Sequence, residues 1–251
     1  MELFLTIYIV LIGLAIGSFL NVLIYRIPLE ISASKGNSFC PKCNHKLIWL
    51  DLFPVFSYIF LRGKCRYCKA PISFRYPFVE ILNAVCYLAI YLSFGLNLTS
   101  ICYAVFCTSL IVLAFIDIDH KFIPDRFHVI IAICGILLMF FAKDISWLDR
   151  VIGLFAISVP LYIIVLITGG MGEGDVKLFA VCGFLLGWKL ILLTMLLSSI
   201  FAAVIGIILM VNKKATRKTE LPYGPYIAFA SIICLLFGNN LINSYLSLFK
   251  I

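Results

Sequence analysis

The sequence predicts an all-α protein, a polytopic membrane helix bundle of about eight spans with one loop domain inserted after the first span. Composition, recurring apolar runs and the placement of basic residues support this fold class. Of the 251 residues 63% are hydrophobic and only 13% are charged, and the mean hydropathy is +1.12. Soluble domains carry about 25% charged residues. A bilayer span needs about 20 apolar residues, so the spans would use most of the chain.

Apolar runs and their interruptions place the individual spans. The first run begins beside the acidic Glu2 and is longer than the apolar part of a signal peptide, so we expect a retained span. The eight predicted spans are 3–25, 77–95, 98–116, 127–142, 150–168, 176–187, 189–211 and 223–248. They divide the chain into a first span (1–25), an extramembrane domain (26–76) and a membrane bundle (77–251).

Basic residues predict the orientation in the membrane. With the N-terminus outside, the cytoplasmic segments are 26–76, 117–126, 169–177 and 212–222. These segments hold sixteen of the twenty basic residues, namely Arg26, Lys35, Lys42, Lys46, Arg62, Lys64, Arg66, Lys69, Arg75, Lys121, Arg126, Lys177, Lys213, Lys214, Arg217 and Lys218. This bias follows the positive-inside rule. It accounts for the net charge of +8 without a nucleic-acid partner, and basic and aromatic residues do not alternate in the pattern that would favour the alternative of a nucleic-acid-binding loop.

Four cysteines in the predicted cytoplasmic domain have the spacing of a metal site. Cys40-Pro-Lys-Cys43 and Cys65-Arg-Tyr-Cys68 are separated by 21 residues. Two such pairs typically form two knuckles that hold one structural Zn²⁺ through four thiolates. A pair of disulfides is the alternative, which the reducing cytoplasmic side disfavours. The six remaining cysteines fall within predicted spans and are expected to be small apolar core residues.

Two aspartates are the candidate catalytic pair. Asp117 ends the apolar run 110–116, and Asp175 follows the glycine-rich segment 169–174 at the same predicted membrane edge. Ionisable residues at membrane depth are costly and are by default functional candidates. Two carboxylates held together share a proton, so one can activate water while the other polarises a carbonyl. Two structural alternatives stay open: Asp175 could cap a helix, and Asp117 could be a loop residue paired with Lys121 or Arg126.

The other polar residues near the membrane receive structural interpretations. Asp119 would point away from Asp117 on a helix, and Asp125 after Pro124 is expected to cap the fourth span. The three histidines, His45, His120 and His128, fit no ligand pattern and are expected at the surface or at interfaces. Gly13 and Gly17 predict close packing of the first span. Asn21 is expected to form hydrogen bonds inside the bundle.

Several motifs in a fixed order resemble those of the bacterial type IV prepilin peptidases. Near the first span and in the loop they are Gly17-Ser-Phe-Leu-Asn-Val22, Tyr25-Arg-Ile-Pro28, the two cysteine pairs, Asp51-Leu-Phe-Pro54 and Arg75-Tyr-Pro-Phe-Val-Glu80. In the bundle they are Asp117 with Ile123-Pro-Asp125, Gly172-Glu-Gly-Asp175-Val-Lys177 and Leu221-Pro-Tyr-Gly-Pro225. One departure is Tyr223, where phenylalanine is commoner. The resemblance covers nearly the whole chain.

The resemblance implies a membrane aspartic peptidase whose catalytic residues are Asp117 and Asp175. Such enzymes lie in the cytoplasmic membrane and cut the basic leader of prepilins and pseudopilins after a glycine, with the active site facing the cytoplasm. Their substrates serve type IV pili, type II secretion or competence. Many members then methylate the new N-terminal residue with S-adenosylmethionine, an activity associated with the long four-cysteine loop. A transporter or assembly factor with proton-relaying acids is the competing hypothesis.

Overall fold

The computed structural model describes residues 2–32, 36–142, 144–213 and 221–248, and it confirms the all-α prediction. Lys35, Lys214, Arg217 and Lys218, four of the basic residues used to predict orientation, lie outside these ranges. Within them, only isolated β-bridges occur besides helices and turns. The helices are α1 (Glu2–Arg26), α2 (Phe56–Phe60), α3 (Arg75–Phe94), α4 (Leu98–His120), α5 (Asp125–Phe141), α6 (Trp147–Ala156), α7 (Ser158–Thr168), α8 (Glu173–Leu186), α9 (Trp188–Val211) and α10 (Gly224–Leu248).

Each of the eight predicted spans falls on a helix or on a consecutive helix pair. In the described part of the chain, six helical segments are long and apolar enough to cross a membrane: α1, α3, α4, the α6–α7 pair, α9 and α10. Helices α5 and α8 are shorter, with 17 and 14 residues. The protein is therefore a multi-pass membrane protein, and the count of eight spans stays a prediction.

The predicted fifth span, 150–168, consists of two helices in the structure. Helix α6 ends at Ala156 and α7 begins at Ser158. Pro160 has no amide hydrogen, and its ring clashes with the carbonyl four residues earlier, which is that of Ala156. The proline therefore accounts for the break.

The chain forms two compact units, and α1 packs along α3 in the first, Met1–Leu96. A Cβ atom at Gly13 would lie 2.6 Å from the Cα of Ala84, and one at Gly17 would lie 2.6 Å from the Cα of Glu80. No side chain fits at either position. The prediction of close packing at these glycines is confirmed.

Two buried asparagines also connect α1 with α3. The Nδ2 of Asn21 donates to the carbonyl of Tyr76 at 3.1 Å, and that of Asn83 donates to the carbonyl of Gly13 at 2.8 Å. A polar side chain in an apolar environment is costly unless it is hydrogen-bonded. These bonds confirm the prediction for Asn21 and fix the register of the two helices.

In the second unit, Asn97–Ile251, the most buried helices are α4 and α8. Helix α4 packs against α5 and α10, and α8 packs against α5 and α6. Leu110, Leu113 and Ile116 of α4 have no exposed surface, nor do Leu178 and Phe179 of α8. The six cysteines outside the loop are all buried in helices, as predicted. This packing leaves the last turn of α4 and the first turn of α8 to carry the polar residues Asp117 and Asp175.

Candidate active site and metal centre

Asp117 lies in the last turn of α4 and is only 5% exposed. Its Oδ2 accepts the backbone N–H of Gly224, the first residue of α10, at 3.0 Å. A Cβ atom at Gly224 would lie 2.8 Å from that oxygen, so the approach requires glycine. Asp117 is therefore a helical, buried residue, and the alternative that placed it in a loop is wrong.

Asp175 occupies the third position of α8 and is 9% exposed. The N-cap of this helix is Gly172, so the interpretation of Asp175 as a capping residue is wrong. Among the residues that the structure describes, none forms a hydrogen bond with its buried Oδ1. The positive end of the α8 dipole favours a carboxylate here. Asp175 Oδ1 is thus buried but accepts no hydrogen bond from the described residues.

The structure brings Asp117 and Asp175 near enough for the charge on one to act on the other. The turn between α4 and α5 contacts both neighbouring segments through Ile123. A Cβ atom at Gly224 would lie 3.1 Å from Ile123 Cδ1, and one at Gly174 would lie 3.2 Å from Ile123 Cβ. Glycines on both sides therefore let this turn pack between the start of α10, which donates to Asp117, and the start of α8, which carries Asp175.

Asp125 does not cap α5, so that expectation is wrong. Pro124 is the N-cap, and Asp125 Oδ1 accepts a hydrogen bond from Lys177 Nζ of α8 at 2.9 Å. The bond to Lys177 and its charge hold the pKa of Asp125 below its ordinary value. The pair connects α5 with the helix that carries Asp175. Sequence reasoning missed it because the partners are 52 residues apart.

The histidines and Asp119 differ in exposure. His45, His120 and Asp119 are exposed. His128 is 6% exposed and its Nδ1 lies 3.3 Å from Asp125 Oδ1, so this histidine takes the interface position that the prediction allowed. Its position on the inner face of α5 accounts for the burial.

Tyr223 holds the segment before α10 through its hydroxyl group. The hydroxyl lies 3.0 Å from Ser198 Oγ and 3.1 Å from Ser199 Oγ, both on α9. Its ring centroid is 6.2 Å from that of Phe179 on α8. A phenylalanine would keep the ring contact and lose the hydroxyl contacts. The Pro-Tyr-Gly-Pro turn marked this segment in the sequence, but not the bond from Gly224 to Asp117.

The four loop cysteines form one cluster in the first unit. Their sulfur atoms all lie within 4.8 Å of one another, and Cys40 and Cys68 are 3.9 Å apart. A tetrahedral zinc with Zn–S bonds of about 2.3 Å separates sulfurs by about 3.8 Å. A disulfide would bring them to about 2.05 Å, and all four cysteines are free. The cluster therefore fits a metal ion better than the alternative disulfides.

The two cysteine pairs have the same backbone conformation. The N–H of Cys40 or Cys65 donates to the carbonyl five residues later, at 3.0 and 2.8 Å. Its carbonyl accepts the N–H of Asn44 or Lys69, at 2.8 and 3.0 Å. The donors, Asn44 and Lys69, have positive φ angles of 55° and 59°. Two equivalent knuckles thus face each other, as the spacing predicts.

Local polar groups favour ionisation of the Cys40 thiol, and an aromatic contact joins the two knuckles. Burial of Cys40 opposes ionisation, but the N–H groups of Cys43 and Lys42 and neighbouring thiols lower its pKa to about 7. The N–H of His45 lowers the pKa of Cys43, but burial and the thiols of Cys68 and Cys40 raise it to about 11. Zinc binds thiolates, so the lowered pKa suits a ligand at Cys40. The His45 and Tyr67 rings, one from each knuckle, have centroids 3.6 Å apart.

The fold and these sites define a multi-pass helical membrane protein with two buried aspartates on different helices and a four-cysteine cluster that could hold a metal ion. Residues 104–207 match the type IV leader peptidase family, and residues 11–94 match the bacterial peptidase A24 N-terminal domain. The chain belongs to the type IV leader peptidase family, as its motifs indicate.

Curated relatives span nearly the full length of the chain. A prepilin leader peptidase/N-methyltransferase of Aeromonas hydrophila is 35% identical over 95% of this chain and 93% of its own length. One from Pseudomonas aeruginosa is 33% identical, covering 94% and 92% of the two chains. One from Bacillus subtilis is 34% identical, covering 94% and 96%. No solved structure gives a significant match.

Proposed function

We propose that this chain is a membrane aspartic endopeptidase that cuts the basic leader of prepilins or pseudopilins after a glycine. It then methylates the new N-terminal residue with S-adenosylmethionine. The observation that carries the peptidase proposal is that Asp117 and Asp175, two buried carboxylates from different helices, lie on either side of the Ile123 turn. Relatives named for both activities support the same function.

Asp117 and Asp175 would share the work of peptide hydrolysis. Close carboxylates do not ionise together readily, so one keeps its proton near neutral pH. The ionised carboxylate takes a proton from water, and the oxygen of that water attacks the peptide carbon. The protonated carboxyl group donates to the carbonyl oxygen. As the C–N bond breaks, the leaving nitrogen takes a proton and becomes the new N-terminal amine.

The proposed site suits a substrate that crosses from water into lipid. A pilin precursor has a charged leader followed by an apolar helix, so its cut lies at the membrane surface. Both aspartates lie at helix ends next to long apolar segments. We place this edge on the cytoplasmic side of the cytoplasmic membrane because the predicted loops on that side carry most basic residues.

The loop domain, 26–76, would serve the second activity. Cys40, Cys43, Cys65 and Cys68 would hold one Zn²⁺ that stabilises a domain too small to fold on its own core. Bound S-adenosylmethionine would supply a methyl group to the amine, whose lone pair forms the N–C bond as the S–C electrons return to sulfur. The amine proton passes to water.

Asp117→Asn and Asp175→Asn test the peptidase assignment. Each should abolish prepilin cleavage, because an amide can neither accept the proton of water nor donate an acidic one. The measurement is product mass after incubation of the purified full chain with a prepilin. Clear cleavage by either folded variant would contradict the assignment, and transport of a solute without cleavage would favour the transporter hypothesis.

The same variants also separate the two activities. Asp175→Asn should still transfer a labelled methyl group to pilin supplied already cleaved, because methyl transfer does not need the aspartate pair. Loss of both activities in a folded variant would show that the sites overlap. A wild-type chain that cleaves without methylating would be a peptidase alone.

A further inference from the structure

The loop domain encloses a cavity that the peptidase chemistry does not use. It has a volume of about 400 Å³ and lies between the loop, the end of α1 and the start of α3. All of its lining residues belong to the first unit, whereas Asp117 and Asp175 belong to the second. Small-molecule sites typically have volumes of about 300–1,000 Å³. The cavity has the size of a binding site for one cofactor.

We propose that this cavity binds the methyl donor, S-adenosylmethionine, an inference that rests on the proposed N-methylation. The ligand chemistry follows from the lining. S-adenosylmethionine combines an aromatic base, a sulfonium cation and a carboxylate. Each of these groups has a chemically matching side chain among the residues around the cavity.

Aromatic side chains from three segments line the cavity. They are Tyr25 of α1, Tyr76 of α3, and Phe39 and Tyr58 of the loop. Aromatic faces stack on bases and attract cations such as sulfonium or quaternary ammonium groups. The Tyr25 and Phe39 rings form an edge-to-face pair with centroids 6.4 Å apart. The lining therefore suits an adenine ring and a neighbouring positive sulfur.

Three basic side chains and one acidic side chain line the cavity. Arg26, Lys42 and Arg66 line it, with Asp51 as the acidic residue. Asp51 Oδ1 already accepts from Arg66 Nε at 2.6 Å, and its Oδ2 lies 3.3 Å from the Tyr67 hydroxyl. Lys42 lines the cavity outside this ion pair, and a lysine binds a carboxylate through short charge-assisted bonds.

The metal site forms part of the cavity wall. Cys40 and Cys65, the first residue of each knuckle, both line it. Arg26 connects the loop to α1 by donating to the carbonyls of Ser32 and Asn37, at 3.0 and 3.1 Å. A bound zinc would therefore hold the cavity in shape, which gives the four-cysteine loop a role in cofactor binding.

A second cavity in this unit offers a contrast. Its volume is about 280 Å³, and only apolar side chains line it, among them Val10, Leu14 and Ile81. It has no group for a carboxylate or a ribose hydroxyl. Between these two cavities, only the larger provides the polar and aromatic partners that the methyl donor needs.

Two substitutions that fill the cavity test the proposal. Ser57→Phe places a ring into it from α2, and Leu47→Phe enlarges a side chain that lines it from the first knuckle segment. Ile59→Phe is the matched control, since Ile59 lies on the same helix and is 62% exposed outside the cavity. The probe is S-adenosylhomocysteine, titrated calorimetrically into the purified full chain. Zinc content and prepilin cleavage report on folding.

We expect wild type and Ile59→Phe to bind the probe equally. Both cavity-filling variants should bind at least tenfold more weakly while keeping zinc and prepilin cleavage. Equal binding by all the proteins, together with wild-type methylation, would overturn the cavity assignment and leave the proposed methylation intact. A wild type that cleaves prepilin but neither binds the probe nor methylates pilin would overturn both.

Discussion

Gly224→Ala tests whether the geometry around Asp117 serves cleavage. The added methyl carbon would lie 2.8 Å from Asp117 Oδ2 and 3.1 Å from Ile123 Cδ1. An ordinary contact to a methyl carbon is about 3.5 Å or longer. The carboxylate or the start of α10 must therefore move by about 0.7 Å, which also strains the 3.0 Å bond from the Gly224 N–H.

This displacement sets the expected loss of activity. A misplacement of about 1 Å in a catalytic group costs about 100-fold in rate. Loss of a hydrogen bond to a charged group costs about 1.5–3 kcal/mol, which is also about 10–100-fold. We therefore expect kcat/KM for prepilin cleavage to fall by about 10–100-fold.

The assay is steady-state cleavage of a prepilin by the purified protein, with Gly206→Ala as the control. A Cβ atom at Gly206 would lie 3.5 Å from Leu221 Cδ1, which is an ordinary contact. The control should cleave at the wild-type rate. A folded Gly224→Ala protein that does the same would refute the role of this bond in positioning Asp117.

Two further predictions concern the metal and the α5–α8 ion pair. Replacing all four knuckle cysteines with serine should remove one zinc per chain by elemental analysis and reduce methylation more than cleavage. Equal loss would mean that the loop also braces the catalytic helices. Asp125→Asn should cleave within about threefold of wild type, because Asp125 pairs with Lys177 outside the carboxylate pair; loss comparable to Asp117→Asn would contradict this role. Since the pKa of Asp125 is lowered, the pair stabilises the folded state above about pH 4. The wild-type protein should therefore melt at a higher temperature than Asp125→Asn at neutral pH, and this difference should vanish as the pH falls below about 4.

Local patterns in the sequence predicted the features that depend on composition or spacing. The apolar runs located the helices, and the Cys-x-x-Cys repeat predicted the four-sulfur cluster. The glycines of α1 predicted its close packing on α3. Each of these features depends on a pattern within one segment of the sequence, or on one short motif that occurs twice.

Contacts between distant segments could not be predicted in this way. The bond from Gly224 to Asp117 joins residues 107 apart in the sequence. Neither a glycine nor an aspartate predicts by its type which distant residue it will contact. The carboxylate of Glu80 likewise accepts the N–H of Val55 at 2.7 Å, across the loop. The burial of His128 follows from the helix that packs over it. Tertiary packing, not local preference, decides all three.

The seam between α1 and α3 has a consequence for how the metal and the helices depend on each other. Pairing these helices closes a chain segment, residues 27–74, whose closure entropy grows with its length. A metal bridge from Cys40 to Cys68 lies nested inside that segment and would shorten the free path from about 48 to about 20 residues, lowering the closure cost by about 0.8 kcal/mol. The packing of α1 on α3 at Gly13 and Gly17 thus closes the whole loop, and the metal bridge closes a shorter loop inside it. Each lowers the entropic cost of the other, although no atom of the metal site needs to touch the seam.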